Sequence, residues 1–188
     1  AKRLELVAAA QEWLGWKESD ESFKPIIDLY NGHEPLAQGY VVKYTDQWCA
    51  AFVSAAAIKC GMTDIIPTEC SCQRQIKLFQ ELGCWEEADD YVPLPGDIVF
   101  YHWDCTDEGD CTTWSDHVGI VKEVTLDESG AVTQIKTIEG NTSDSCAAHE
   151  YAVNYSCIYG YGTPQYPSSE STVTASGDAA TQVWTYLK

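Results

Sequence analysis

Residues 45–58 read TDQWCAAFVSAAAI, and this stretch decides how the rest of the chain folds. From its tryptophan onward it is apolar on almost every side, which indicates a helix enclosed by the protein. Asp46 is predicted to cap the helix by accepting hydrogen bonds from N–H groups of the first turn. Cys49 falls in that turn, where the peptide dipoles stabilise negative charge and lower the pKa of a thiol. The sequence therefore predicts a thiolate nucleophile at the positive end of a buried helix.

The nine cysteines of the chain bear on both its compartment and the role of Cys49. A structural cysteine is the alternative for Cys49, because most cysteines in such a chain are not nucleophiles. Cys70 and Cys72 have C-x-C spacing without a matching second pair, which does not fit a zinc site. So many cysteines favour an oxidising, secreted setting. An anaerobic organism that keeps its thiols reduced is the alternative.

Setting Cys49 aside leaves an even number of cysteines, which is compatible with disulfides throughout. The sequence does not give their connectivity. Cys105 with Cys111, and Cys146 with Cys157, are predicted as local pairs. Cys49 is then expected to be the single free thiol.

Length and charge exclude several classes of function. The 188 residues suffice for one domain with a proper core. The net charge of −18, from 29 acidic and 11 basic residues, argues against a nucleic-acid partner, because phosphate binding requires a basic surface. No apolar run reaches the roughly 18 residues of a membrane span. We expect a monomer with neither cofactor nor metal.

The chain changes from helical periodicity to strands and turns after about residue 90. Helices are predicted at 2–14, 22–30, 47–59 and 71–82, and strands at 98–103, 116–125, 131–139, 146–153 and 157–161. Helices followed by antiparallel strands indicate an α+β fold, with N-terminal helices packed on a C-terminal antiparallel sheet.

The last part of the chain has a different composition. Residues 163–179 are rich in Pro, Ser, Thr and Gly without periodicity, and are predicted to be a flexible linker. Residues 180–188 are interpreted as the first turns of a helix in a further, truncated domain. The main domain is then 1–162.

A cysteine nucleophile requires a base within hydrogen-bond reach and a group that orients the base. Among four histidines, His117 is the candidate, because it opens an apolar strand that fixes its backbone. The next strand ends at Glu139, with Asn141 just beyond, and antiparallel strands place the end of one beside the start of its neighbour. Either side chain can then reach a ring nitrogen of His117. A polar strand end and a solvated turn are the alternative interpretations.

The order of these residues is that of papain-like hydrolases, and five ordered motifs resemble the CHAP family. They are WCAAFVS at 48–54, PGDIV at 95–99, DHVGIV at 116–121, IEGN at 138–141 and YGYG at 159–162. CHAP domains are cysteine, histidine-dependent amidohydrolases and peptidases related to the NlpC/P60 group. The resemblance covers about residues 1–165 and implies a papain-like α+β fold.

The resemblance also implies roles for individual residues. Cys49 would be the nucleophile, His117 the base, Glu139 the group that orients His117, and Asn141 the fourth polar member. The backbone N–H of Cys49 would help hold the oxyanion.

Three neighbouring residues, Gln47, Tyr44 and Trp48, are candidates for oxyanion or substrate binding. The implied substrate is bacterial peptidoglycan, cut at an amide bond of the stem peptide or cross-bridge by an endolysin-like enzyme of bacterial or phage origin. We therefore expect the protein outside the cell or in the cell wall. A non-catalytic wall- or partner-binding module that keeps the fold is the alternative, and the intact Cys/His/Glu/Asn set argues against it.

Two further expectations concern an acidic loop that departs from the family pattern and the segment at the C-terminal end of the sequence. Asp104, Asp107 and Asp110 offer oxygen atoms for calcium, but their spacing is not that of an EF-hand, so a solvated acidic loop is predicted instead. The segment 180–188 resembles the start of a phage-tail-type lysozyme domain, which would let the whole protein cut both peptide and glycan.

Overall fold

The computed structural model describes residues 1–103 and 115–167, together with the backbone of residues 172–178 and 181–187. The helices within these ranges are α1 (Lys2–Gln11), α2 (Lys24–Asn31), α3 (Cys49–Lys59) and α4 (Cys72–Glu81). The strands are β1 (Trp85–Glu87), β2 (Ile98–Tyr101), β3 (His117–Leu126), β4 (Val132–Thr142), β5 (Ser145–Ala152), β6 (Ile158–Gly162), β7 (Thr172–Asp178) and β8 (Thr181–Leu187). None of the helices described here is long and apolar enough to cross a bilayer.

The first six strands form one antiparallel sheet in the order β1-β6-β2-β3-β4-β5. The helices precede this sheet in the chain and pack on it, so the predicted α+β fold is confirmed. The sequence pattern does not predict β1, because three residues are too few to show a period.

Helix α3 lies in the middle of the buried core. Every residue from Cys49 to Ala57 is buried, as the apolar sequence predicts. Phe52 belongs to the same buried cluster as Phe100, Val118 and Ile138 of the sheet. Fully burying a large apolar side chain stabilises the fold by roughly 1.5–3 kcal/mol. The rest of the domain is therefore assembled around this helix.

Successive residues of the central strands point to two different buried layers. Ile98 and Phe100 pack on the helices, whereas Val99, Tyr101 and Val121 form a second apolar cluster on the opposite face. The centre of the sheet is therefore buried on both sides. A polar side chain on the second face lies among apolar neighbours rather than in water.

The start of α3 differs from the prediction. The helix begins at Cys49, Trp48 occupies the N-cap position, and no side chain caps it. The carboxylate of Asp46 instead accepts hydrogen bonds from the N–H of Lys43 and the hydroxyl of Tyr40. The prediction of Asp46 as the cap is wrong, because a turn just before the helix takes up its carboxylate.

The C-terminal segment also differs from the prediction. Strand β8 replaces the helix predicted at 180–188, and β7 lies inside the predicted linker; the two strands pair antiparallel as a hairpin. Valine, threonine and aromatic residues favour extended backbone over helix. The boundaries at residues 162 and 179, and the further domain, stay predictions.

The cysteines do not follow the predicted disulfide pattern. Six of the described cysteines are free, namely Cys49, Cys60, Cys70, Cys72, Cys84 and Cys146, and Cys157 is disulfide-bonded. The expectation of a single free thiol is therefore wrong, as is the pair of Cys146 with Cys157. Cys105 and Cys111 lie outside the described residues.

Strand order explains why Cys146 and Cys157 cannot pair. Cys146 lies in β5 at one edge of the sheet, and Cys157 directly precedes β6, four strand positions away. Strands are spaced about 4.8 Å apart, so the two residues are separated by roughly 19 Å. A disulfide requires Cα atoms within about 7 Å of each other.

Asp97 of the PGDIV motif ties the first helix to the sheet. Its buried Oδ1 accepts a hydrogen bond from Arg3 Nη1 at 2.8 Å. Its Oδ2 accepts hydrogen bonds from the hydroxyl of Tyr91 at 2.5 Å and the N–H of Leu94 at 2.9 Å. The carboxylate is thus paired with one cation and held by two further donors.

Removing this charge should destabilise the domain. We expect Asp97→Asn to lower the free energy of unfolding by about 3 kcal/mol, because the partly buried Arg3 loses its counter-charge. Urea denaturation measures the change. Asp64→Asn alters an exposed carboxyl and serves as the control, with an expected change below about 0.5 kcal/mol. Equal stability of the Asp97 variant and the wild type would contradict this account of the motif.

Candidate active site

Cys49 is held at the N-terminal end of the buried helix. It is the first residue of α3 and only 6% exposed. Its sulfur lies beside the backbone N–H of Ala50, which lowers the pKa of the thiol and is one of the N–H groups that a helix leaves unpaired in its first turn. This end of the helix therefore stabilises a negative charge on the sulfur.

His117 lies between the thiol and a carboxylate. It is the first residue of β3, and its ring hydrogen-bonds Glu139 and interacts with the Cys49 thiol on its other side. Nε2 is 2.9 Å from Glu139 Oε1. Because Nε2 faces the carboxylate, Nδ1 is the ring nitrogen left for the thiol. The structure thus brings Cys49, His117 and Glu139 into one line of contacts.

The register of β3 and β4 produces this contact. Ile120 pairs with Ile138, which sets Glu139 opposite Gly119 and diagonal to His117 on the same face. A Cβ atom at position 119 would lie 2.6 Å from Glu139 Cγ, so only glycine leaves room for the carboxylate. As predicted, the start of β3 therefore lies beside the C-terminal part of β4.

Glu139 is a buried carboxylate with four donors around it. Its side chain is 1% exposed. Besides His117, Oε1 accepts from the hydroxyl of Tyr151 at 3.3 Å, and Oε2 accepts from Tyr101 at 2.9 Å and Thr137 at 2.6 Å. Burial alone would raise the pKa of Glu139, but His117 and the hydroxyl donors lower it. The carboxylate is therefore ionised and fixed in position.

Contacts within the site shift the pKa values of His117 and Cys49 in opposite directions. Burial alone would lower the pKa of His117, but its contacts with Cys49 and Glu139 raise that pKa to about 9. The pKa of the Cys49 thiol is held well below its ordinary value, first by a hydrogen bond from Cys72 and then, against the effect of burial, by His117. The favoured state at neutral pH is a thiolate beside an imidazolium.

Asn141 and Gln47 contact each other rather than His117. Asn141 Nδ2 donates a hydrogen bond to Gln47 Oε1. The backbone of Asn141 has a φ of 56°, at an irregularity in the pairing of β4 with β5. Because of this left-handed conformation, the Asn141 side chain does not follow the regular alternation of β4 that places Glu139 beside His117. Of the two candidates for orienting His117, Glu139 is the one that contacts its ring.

The other two predicted substrate contacts differ in exposure. Tyr44 is 42% exposed, but its hydroxyl donates to Asp28 at 2.5 Å and so is not directed at an oxyanion. Trp48 is fully buried and its Nε1 donates to Glu18 at 2.9 Å. The prediction that Trp48 binds substrate is wrong, because its ring is enclosed in the apolar core.

The sequence patterns do not predict several residues of the site. Thr137 lies two residues before Glu139 on the same strand, so the period-two pattern offered a signal for it. Tyr101 and Trp103 stack on each other and lie beside the imidazole of His117, each with its ring centre 5.8 Å away. No local signal exists for Cys72, whose contact with Cys49 depends on how α4 packs. Among the described residues, no cluster of His, Cys, Asp or Glu is arranged to hold a metal; Asp104, Asp107 and Asp110 lie outside them.

Comparison with known proteins assigns the family. The model of the CHAP domain matches residues 39–141, more than half of the chain. The chain belongs to the CHAP domain family. CHAP domains are generally hydrolase domains of the peptidoglycan amidase and peptidase type. No curated protein and no solved structure matches the chain, so the roles of individual residues in this CHAP domain stay predictions.

The contact between Glu139 and His117 should be visible in the titration of the histidine. We expect Glu139→Gln to lower the pKa of His117 from about 9, because an amide keeps the hydrogen bond but not the negative charge. Histidine NMR against pH measures it. Glu150→Gln changes an exposed carboxyl on β5 and is the control. An unchanged titration of His117 would show that Glu139 does not stabilise its charge.

Proposed function

We propose that this CHAP domain hydrolyses an amide bond of peptidoglycan, in the stem peptide or cross-bridge, through a covalent acyl-enzyme on Cys49. The observation that carries the proposal is the line of contacts from the thiol through His117 to a buried, fourfold hydrogen-bonded Glu139. A thiol, a base and an orienting group in this order form the arrangement of nucleophilic acyl transfer.

In the first half-reaction the Cys49 thiolate attacks the carbonyl carbon of the scissile amide. The tetrahedral intermediate collapses as His117 transfers its proton to the leaving amine, which leaves a thioester on Cys49. In the second half-reaction the neutral imidazole takes a proton from water, and the resulting hydroxide attacks the thioester. Thiolate and imidazolium are restored with release of the acid. Glu139 holds the ring throughout and stabilises its charged form.

The oxyanion is held by donors at the start of α3. The backbone N–H of Cys49 is in the first helical turn, where N–H groups lack partners within the helix. Gln47 Oε1 accepts a hydrogen bond from Asn141, and this contact sets which way the amide of Gln47 is turned. We assign its Nε2 as the second donor to the oxyanion. In this assignment Asn141 acts by fixing the amide orientation of Gln47.

Location follows from the substrate. Peptidoglycan lies outside the cytoplasmic membrane, so we propose that the protein acts outside the cell or in the cell wall. The free thiols do not contradict this, since four of the six in the described residues are buried and buried cysteines behave as small apolar residues: Cys49, Cys72, Cys84 and Cys146. The net charge of −18 would keep the domain away from anionic wall polymers unless another region brings it there.

Removing the nucleophile tests the proposal directly. Cys49→Ala should abolish the release of soluble fragments from purified peptidoglycan, because no other group replaces the thiolate. Mass spectrometry of the wild-type digest identifies the bond. Cys60→Ala is the matched control, since it removes a free thiol just beyond the other end of α3. Digestion by Cys49→Ala at the wild-type rate would refute the mechanism and favour a binding module.

The pH profile follows from the two shifted pKa values. Below the lowered pKa of Cys49 the sulfur is protonated, and above the pKa of His117, about 9, the imidazolium is lost. We expect kcat/KM on a soluble muropeptide to be flat through neutral pH and to fall as the pH passes about 9. A maximum near pH 6 with loss of activity by pH 7.5 would exclude the charged pair as the active state.

A further inference from the structure

A second thiol touches the sulfur of Cys49. Cys72 Sγ lies 3.5 Å from Cys49 Sγ, in the hydrogen-bonding range for sulfur and well beyond the roughly 2.05 Å of a disulfide bond. Both cysteines are free and buried, with 8% and 6% of their surfaces exposed. Cys72 is also the first residue of its helix, α4, just as Cys49 is of α3. Two helix starts therefore meet at one pair of sulfur atoms.

The position of Cys72 is fixed by α3 itself. The hydroxyl of Ser54 donates to the carbonyl of Glu69 at 2.8 Å and accepts from the N–H of Glu69 at 2.9 Å. The carboxylate of Glu69 accepts from the N–H groups of Cys70 and Ser71, and Ser71 caps α4. The segment that carries Cys72 is thus fastened to the same helix that carries the nucleophile.

We propose that Cys72 is a positioning residue of the active site, whose S–H donates a hydrogen bond to the Cys49 thiolate and orients that sulfur towards the substrate carbonyl. The inference rests on the proposed role of Cys49 as nucleophile and adds a member that the Cys, His, Glu set does not contain.

The surrounding charges decide which sulfur carries the proton. His117 interacts with Cys49 and is itself hydrogen-bonded to Glu139. Among the described residues, the only cation beside the two sulfur atoms therefore faces Cys49. Cys72 instead faces the negative charge of Asp116. When one of the two sulfur atoms is ionised, the negative charge is therefore on Cys49, and Cys72 keeps its proton. The hydrogen bond with Cys49 and then burial raise the pKa of Cys72 well above its ordinary value, in agreement with this assignment.

The hydrogen bond has a consequence for each half-reaction. It stabilises the thiolate before attack and so extends the reactive form to lower pH. It also stabilises the thiolate as it leaves the thioester in the second half-reaction. An apolar residue at position 72 would leave the buried sulfur with fewer donors.

The test follows alkylation of Cys49 by iodoacetamide as a function of pH, with the modified peptides quantified by mass spectrometry. This readout needs no substrate, and alkylation follows the thiolate fraction. Cys72→Ala should move the midpoint for Cys49 upward by about one pH unit, since a charged acceptor loses one weak donor. Cys72→Ser should shift it less, because a hydroxyl still donates. The acid limb of peptidoglycan hydrolysis should move in the same direction.

Cys84→Ala is the matched control, because Cys84 is a buried free thiol just beyond the other end of α4. It should leave the midpoint for Cys49 unchanged. In the wild type at neutral pH, Cys72 should be alkylated at least tenfold more slowly than Cys49, a result that requires no variant to fold.

Three outcomes would overturn the proposal: an unchanged midpoint in Cys72→Ala, an equal shift in Cys84→Ala, or equal alkylation of the two cysteines in the wild type. These are separate from failure of the proposed function, which would appear as peptidoglycan hydrolysis by Cys49→Ala. The pairing of the two sulfurs could stand even in that case.

Discussion

Helix α3 approaches strand β4 so closely that no side chain fits between them at Gly140. A Cβ atom there would lie 2.4 Å from Cβ of Phe52 and 3.0 Å from Cζ3 of Trp48. This contact sets the distance between the helix that carries Cys49 and the strand that carries Glu139. Because protein interiors are close-packed, a shift of either element would be felt at the other. The position of the thiol relative to His117 therefore depends on one apolar contact next to the polar site.

The polar site uses the two faces of the sheet for different purposes. On the helix side, residues such as Val118 and Ile138 build the apolar core around α3. On the other face, Glu139 lies with Tyr101 and Thr137 and reaches His117 at the start of β3. An unpaired carboxylate buried there would be costly, so its four donors and the imidazolium are what allow it to stay ionised. The same interactions that offset burial also raise the pKa of His117.

The net negative charge of the chain does not determine the electrostatics of its site. The net charge of −18 describes mainly exposed side chains, which water and salt screen. Inside the site, the relevant charges are one thiolate, one imidazolium and one carboxylate in contact. Burial of all three makes their mutual interactions much stronger than those of surface charges. The family assignment thus indicates a domain of the hydrolase type, while the surface charge bears on which partners that domain can approach.

The sequence by itself determined the α+β architecture, the buried helix and the candidates Cys49, His117 and Glu139. These follow from local periodicity and from the rule that antiparallel neighbours bring one strand's start beside the other's end. It did not decide between Glu139 and Asn141, because that choice depends on a left-handed residue at position 141. Strand order alone separates Cys146 from Cys157. The packing of α4 through Ser54 and Glu69 alone brings Cys72 to Cys49. Such contacts join residues far apart in the chain, and no local pattern encodes them; only the assembled core brings them together.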